Sequence, residues 1–417
     1  MVVNYEFLDK EPMDNLITCL NFKVDKVVFL GFQEDIVRSG KSLEKFLSKY
    51  CGIKEVVFKT VPRYDLHTVF ETLRGEVRRE EKNGNKVYFD LTGGNNLVLA
   101  AFGMLSREMN TPMHMFNVGK DRLIELNEDR ESGIKQNVEM RKVPLTLDMV
   151  IEMHGGAINY RMQKGSKEIS DEEFAEDVEK IYQVGVKYWK YWNPFSDLLE
   201  KLFNPPSHAL AASKGMPSVQ REISKSGTKL VSVKIFNEIV EELEKAGILK
   251  EVTRSNDFYS ITYKNEAIKE ILWEGGAILE LQTYLEESMH SDDCRVGVHL
   301  DWDGVIHKGS GVDLINEVDV LALKGNVPTF ISCKSGKMNY VQTLHALYEL
   351  DTVANRFGGK YCKKVLATVQ PVRGVYLERA KEMKIEVRNV GMSRYPEGVE
   401  IPGCRDTLKV SRYPKGV

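Results

Sequence analysis

Residues 316–334 read NEVDVLALKGNVPTFISCK, two apolar extended runs joined by a short KGN turn, with Glu317, Asp319, Ser332 and Lys334 standing where a core hairpin holds Val or Ile. Side chains alternate across a strand. Glu317 and Asp319 are therefore expected on one face with Val318 and Val320 on the other, and Ser332 and Lys334 on a face opposed by Ile331 and Cys333. The turn brings both polar pairs together as a carboxylate cluster beside an ammonium. Oxygen ligands of this kind hold Mg²⁺ or Mn²⁺, which polarises a phosphoryl oxygen and lowers the pKa of a bound water. A neighbouring lysine orients that water or offsets charge developing in the transition state. Asp319 suits the metal ligand and Lys334 the catalytic lysine, and the preceding helix offers Glu280, in GGAILEL, as a second ligand. The plainer alternative is a hairpin with a solvated polar face, which any half-exposed antiparallel pair shows.

Outward from the hairpin, AIKEILWEGGAILELQTYLEESM reads as a helix, CRVGVHLDW as a strand, MNYVQTLHALYELDTVANRFGG as a helix and KKVLATV as a strand. Helix, three strands, helix, strand is a compact mixed α/β layout, and it favours a site over a solvated hairpin. Upstream, SVKIFNEIVEELEKAGILKEVTRSNDFYSITYKN gives a helix stopped by Gly247 and two short strands around a polar turn, an order similar to a small winged-helix module. As a rigid spacer or as a nucleic-acid contact, it sits at the end of a connector. In that connector KGSKEISDEEFAEDVEKIYQVGVKYWKYWNPF reads as helix and NPPSHALAASKG as loop. The near-repeat of MSRYPEGVE at 392–400 by SRYPKGV at 411–417 has no physical account.

From Lys26 onward, strand-like KVVFLGF, IKEVVFKTV and KVYFDLTGG alternate with helix-like SLEKFLSKYCG, HTVFETLRGEVRREEKNG and NLVLAAFGMLSREM, the signature of βαβ units around a parallel sheet. Thr92, Gly93 and Gly94 lie where a strand's carboxyl end meets a helix N-terminus, a place that binds anions through backbone N–H groups and the helix dipole. Asn95 and Asn96 add amides that can read phosphate, ribose or base edges. Gly31, Phe32 and Gln33 open a loop, GFQEDIVRSGKS at 31–42, expected on the same sheet edge, so that two loops line one pocket. Neither GxGxxG nor GK[ST] is present, which removes a dinucleotide fingerprint and a Walker loop. A turn serving backbone geometry alone is the alternative.

Composition bounds the rest. A chain of 417 residues with 42% hydrophobic residues can bury two or three separate cores. With 58 basic and 61 acidic residues the net charge is −3, so nucleic-acid contact has to come from a local cluster; Lys324, Lys334, Lys337 and Arg295 are the candidates. Six scattered cysteines without a CxxC pair fit a reducing cytosol rather than a zinc ribbon or a disulfide framework. The N-terminus MVVNYEFLDKEPMDN lacks an apolar signal core, and no run approaches the ~18 apolar residues of a membrane span, so a cytoplasmic protein with no membrane partner is expected. The eight histidines form neither HxxxH nor HExxH; His345, on the helix after the hairpin, is the one to test.

With EVD at 317–319 and SCK at 332–334, residues 270–370 resemble a restriction-endonuclease-like PD-(D/E)XK domain. Ser332 departs from the usual Glu or Asp of that motif. Some members of the superfamily move the acid to the helix, which makes Glu280 its natural replacement; with no replacement the domain is a degenerate nuclease. Together with this region, the DLTGGNN turn resembles the CARF domain, the Rossmann-fold sensor of cyclic oligoadenylate that accompanies type III CRISPR systems; the architecture is DUF1887-like. The resemblance implies a CARF sensor over 1–150, a helical connector and winged-helix-like module over 151–268, and a nuclease-like domain over 269–417. It implies a homodimer whose sensors form one pocket for cyclic tetra-adenylate, and a Mn²⁺- or Mg²⁺-dependent endonuclease cutting single-stranded or nicked DNA, or single-stranded RNA, in antiviral defence. Family members often carry Lys or Thr after the two glycines, where this chain has Asn95 and Asn96. A catalytically degenerate, ligand-sensing DNA-binding regulator is the second reading, and a ring nuclease finds no specific support. The RxxxxH pair of CARF ribonucleases is absent, since RYDLH at 63–67 and RVGVH at 295–299 are spaced too closely.

Overall fold

In the computed structural model, which describes residues 1–126, 142–161, 172–206, 209–225, 231–306 and 314–390, the first strand lies ahead of the one the sequence suggests. The N-terminal part runs β1 (Val2–Phe7), α1 (Pro12–Asn21), β2 (Lys26–Gly31), α2 (Gln33–Phe46), β3 (Glu55–Thr60), α3 (Leu66–Lys82), β4 (Lys86–Asp90), α4 (Asn96–Met109), β5 (Met113–Asn117) and β6 (Arg122–Leu126). The sheet order is β3-β2-β1-β4-β5-β6, parallel except for β6 against β5. This is the doubly wound arrangement, with its crevice where the order reverses, between β1 and β4. β1 escapes a hydrophobicity reading because it carries Asn4 and Glu6, both buried. Asn4 donates to Glu6 at 3.3 Å and to Asp90 at 3.4 Å, and burial, reinforced by the Asp90 charge, holds the Glu6 carboxyl well above the usual carboxylate range.

The segment expected as a loop at 31–42 is instead mostly α2. Its polar residues face solvent, while Asp35, Gly40, Leu43 and Phe46 are buried and Gly40 lies against the Phe58 ring. The chain continues with α5 (Leu147–Met153), β7 (Ala157–Ile158), α6 (Glu172–Lys187), α7 (Trp189–Phe203), β8 (Ala211–Gly215), α8 (Met216–Lys225), α9 (Val233–Lys245), β9 (Leu249–Arg254) and β10 (Phe258–Tyr263). The single connector helix of the sequence reading is thus two helices, α6 and α7, and part of its loop is strand β8. β8, β10 and β9 form a three-stranded antiparallel sheet, so that strand, two helices and a two-stranded wing follow one another as in a winged helix.

The C-terminal part comprises α10 (Glu266–Trp273), α11 (Ala277–Ser288), β11 (Asp293–Asp301), β12 (Ile315–Lys324), β13 (Val327–Lys334), α12 (Tyr340–Gly358), β14 (Lys363–Thr368), α13 (Gly374–Glu382) and β15 (Ile385–Asn389). The expected helix–hairpin–helix–strand core is present, except that its first helix breaks at Gly275–Gly276 into α10 and α11. The sheet order is β15-β14-β13-β12-β11-β7, with β13, β14 and β15 parallel and the rest antiparallel. One core cluster packs Ile278 and Leu279 of α11 with Val320, Ile331 and Cys333. A second joins Leu347, Leu350 and Phe357 of α12 with Val318, Leu321 and Phe330, and runs on without a break into Leu8, Met13 and Leu16 of the N-terminal part. No described helix is long and apolar enough to cross a membrane. The repeated RYP motifs and Cys404 lie outside the described residues.

Candidate functional site

Strands β12 and β13 pair only from Val320–Ile331 to Lys324–Val327; beyond that point β12 pairs with β11 alone and β13 with β14 alone. The fork leaves the Cys333 N–H without a ladder acceptor, and Asp319 supplies one: its Oδ2 accepts from Cys333 N at 2.5 Å and from Ser332 Oγ at 3.2 Å. The Lys334 ammonium lies 3.7 Å from the same oxygen. The expected alternation along β12 breaks here. Val318 packs in the cluster beneath α12 and Val320 in the cluster beneath α11, so Asp319 sits at a change of face. Gly297 of β11, skipped in the pairing beside Asp319, has φ 61°, a left-handed conformation that favours glycine and kinks the strand at this level. On β13 the expected faces hold, with Ile331 and Cys333 together in the cluster under α11.

Glu280, on the first turn of α11, is half-buried over this fork. Burial, then the charges of Asp319, Glu317 and Glu274, push its carboxyl up to about 8, with Lys334 acting in the opposite direction. Glu317 stands further out, 54% exposed at its side chain, with His299 Nε2 3.8 Å away. Glu280 thus lies in the field of several carboxylates, a surplus of negative charge that a divalent cation would relieve. Glu280 and Asp319 supply hard oxygen donors suited to Mg²⁺ or Mn²⁺. Among the described residues no group of three or more His, Cys, Asp and Glu has the spacing of a complete metal site. The residues fit a two-carboxylate site completed by other oxygen ligands.

The candidate cations separate into two groups. Lys334 and Lys337 line a cavity of about 560 Å³ against the start of α12. Lys324 is at the hairpin turn, five residues along the strand from Asp319 and so ~16 Å away. Arg295 is spent on Asp148 at 2.8 Å and Asp293 at 3.3 Å. His345 is exposed and pairs with Glu349 at 3.7 Å.

In the N-terminal part, the Thr92–Asn96 turn opens at the crevice between β1 and β4, but its amides are partly used within the chain. Thr92 N–H donates to Asp90 at 2.8 Å, Gly94 N–H to Asp9 at 3.1 Å, and Asn95 caps α4 by accepting from Leu97 N–H at 3.0 Å. The Thr92 hydroxyl donates to Asp90 and accepts from Phe116 N–H at 2.8 Å. Gly31 ends β2, Phe32 caps α2 and is buried against Phe7, and Gln33 opens α2 with its Oε1 accepting from Thr60 at 2.8 Å. These residues share the sheet edge with the glycine turn, but β1 lies between them, and the loop joining β1 to α1, with Asp9 and the exposed Lys10, fills the middle. A reading that began at Lys26 missed this loop, although Pro12 at the first turn of α1 behind an acidic cap, Glu11, is a helix-start signal.

That loop also reaches the C-terminal part. A Cβ on Gly93 would lie 2.8 Å from the Cβ of Asp14, so only glycine lets the turn rest on α1. Asp14 is fully buried and holds the Lys360 ammonium and the Tyr361 hydroxyl, the latter at 2.6 Å, from the short helical turn that follows α12. Beside it Glu11 accepts from Lys360 N–H at 2.7 Å and meets His154 at 3.3 Å; burial raises its carboxyl, but these bonds outweigh burial and hold it below the usual range.

Two solved structures share this architecture. Protein VC1899 from Vibrio cholerae matches 93% of this chain and 93% of its own, with a TM-score of 0.65 and 17% identity. Can2 from Sulfobacillus thermosulfidooxidans, solved in complex with cyclic tetra-adenylate, matches 93% of this chain and 94% of its own, with a TM-score of 0.60 and 15% identity. The N-terminal α/β, winged-helix-like and C-terminal α/β parts therefore follow one another in a fold already seen in solved structures. No protein-family model matches the sequence, and no curated protein matches it.

Proposed function

We propose that the chain is a metal-dependent endonuclease that cyclic oligoadenylate, with cyclic tetra-adenylate as first choice, switches on within type III CRISPR defence. The observation that carries this reading is the fork at Asp319. There an aspartate, a lysine and a glutamate pushed towards its protonated form by burial, and then by neighbouring carboxylates, meet at the end of a splayed strand pair. Glu280 and Asp319 would hold Mn²⁺ or Mg²⁺, which supplies polarisation of the phosphodiester and acidification of water. Lys334 places a positive charge where negative charge grows on the scissile phosphate. Ser332, in the position of the motif's usual acid, donates to Asp319 and so fixes that carboxylate, leaving Glu280 to replace the missing acid.

The cyclic ligand would sit at the β1–β4 crevice, against Lys10 and the Gly93–Asn96 turn, in a pocket shared by two chains across a two-fold axis. The fold likeness to a structure that holds cyclic tetra-adenylate supports this placement. DNA, single-stranded or nicked, is the first-choice substrate and single-stranded RNA the second. The regulator reading is less favoured by the helix that its DNA contact would need, since α9 turns Glu238, Glu241, Glu242 and Glu244 towards its surface against Lys234 and Lys245.

Incubating the protein with plasmid and single-stranded substrates, Mn²⁺ and cyclic tetra-adenylate should give cutting that stops without either addition. Lys334→Ala and Asp319→Asn should each lower the rate by roughly 100-fold or more. No cutting under any combination removes the hydrolase reading.

A further inference from the structure

Helix α7 precedes the C-terminal part, yet one of its faces closes on the carboxylate–lysine fork. Trp192 packs in the same cluster as Ile278, Leu279 and Cys333. Asn193 and Ser196, three residues apart and so on one face of α7, both meet the break between α10 and α11. The Ser196 hydroxyl donates to the Leu272 carbonyl near the end of α10. One turn earlier, a Cβ on Gly275 would come 3.0 Å from the Cα and the Oδ1 of Asn193, so the glycine lets Asn193 rest on the backbone that leads into α11. A Cβ on Gly276 would lie 3.5 Å from Glu280 Oε1, which places the Glu280 carboxyl over this same break. The amide of Asn193 faces the end of β13. Its Nδ2 donates to Ser335 Oγ at 3.3 Å, its Oδ1 accepts from that hydroxyl at 3.3 Å, and a Cβ on Gly336 would lie 3.4 Å from Nδ2. Ser335 directly follows Lys334. One side chain thus spans from the residue after the lysine to the turn that presents the glutamate.

We propose that Asn193 is a positioning residue of the fork: by bridging Gly275 and Ser335 it sets the spacing of Glu280 against Lys334 and Asp319, so that α7 completes a site whose acids and lysine all lie in the C-terminal part. The inference rests on the reading of Glu280 and Asp319 as metal ligands. Asn193 acts on the ion through Glu280, and residues that orient a ligand in this way are worth roughly 10–100-fold in metal affinity or activity. A misplacement of about 1 Å between reacting groups costs on the order of 100-fold in rate.

The test is a calorimetric titration of Mn²⁺ into the full chain carrying Asn193→Ala, Ser335→Ala, both changes together, or Ser196→Ala. Asn193→Ala and Ser335→Ala should each weaken Mn²⁺ affinity about tenfold. The double variant should be no weaker than either single one, because both changes remove the same contact. At saturating Mn²⁺, cutting by Asn193→Ala should show kcat reduced about tenfold with KM unchanged. Ser196→Ala strips a partner from a buried carbonyl on the same face of α7, so it should lower the melting temperature and leave Mn²⁺ affinity as it is, which separates positioning from the general seating of the helix. Unchanged affinity in both Asn193→Ala and Ser335→Ala, additive losses in the double variant, or an equal loss in Ser196→Ala overturns the inference. The hydrolase reading fails separately. An unaltered chain that binds Mn²⁺ and shows this pattern among its variants, yet never cuts, removes that reading and leaves the role of Asn193 standing; an unaltered chain that cuts, with Mn²⁺ affinity indifferent to Asn193 and Ser335, does the reverse.

Discussion

Asp319 serves two ends at once, closing a gap in the sheet through Cys333 N–H and presenting its carboxylate to Lys334 and Glu280. The acid and amine residues of this fork were legible in the sequence as polar intrusions in apolar strands. The change of face at Asp319 was not, because it depends on the φ of Gly297 in another strand. Glu280 gives a signed prediction. Its folded pKa of about 8 lies above the ordinary 4.5, so between those values the metal-free folded chain holds one proton more than the unfolded chain. The stabilisation from the protonated carboxyl is fully present below pH ~4.5 and is lost as pH rises through about 8. Thermal melts of the metal-free protein should therefore fall between pH 5 and 8.5. Glu280→Gln should flatten that fall, and Mn²⁺ should reverse it only with Glu280 in place. A melting temperature with the same pH dependence in Glu280→Gln would show that another group governs it.

Among the elements, α12 has a special position, since its first turns border the cavity beside Lys334 and its last turn leads into Lys360 and Tyr361, which grip Asp14 under the Gly93–Gly94 turn. Under the proposed function, a ligand would switch the C-terminal part only through higher affinity for one arrangement of the two parts, and we propose this contact as the place where such arrangements differ. Lys360→Ala leaves the buried Asp14 with Tyr361 as its remaining partner at a cost of about 1–3 kcal/mol. It should keep activator affinity within a few-fold by calorimetry while lowering the stimulation of cutting by ten-fold or more; undiminished stimulation would place the coupling elsewhere. The sequence did not disclose this joint. Asp14 and Lys360 are 346 residues apart, and β1 and α1, the latter carrying Asp14, bury polar residues at positions where a hydrophobic pattern is sought. The alternating βαβ pattern from Lys26 and the helix–hairpin–helix–strand series, each sustained by local periodicity, were read directly.

At the scale of the molecule, charge is sorted rather than summed. The balanced composition conceals an acidic α9 and a pair of lysines at the nuclease-like cavity. Lys337→Ala should weaken single-strand binding and reduce its salt slope by about 1, while Lys234→Ala and Lys245→Ala on α9 should leave both unchanged. The opposite pattern would assign nucleic-acid contact to the winged helix and revive the regulator. The central claim, that Glu280 and Asp319 form a divalent-cation site, is tested most directly by titrating Mn²⁺ into the full chain by calorimetry or electron paramagnetic resonance. One ion per chain that is lost in Glu280→Gln and in Asp319→Asn is the predicted result, and Mn²⁺ binding that is absent from the unaltered chain, or that is unchanged in both variants, would contradict it.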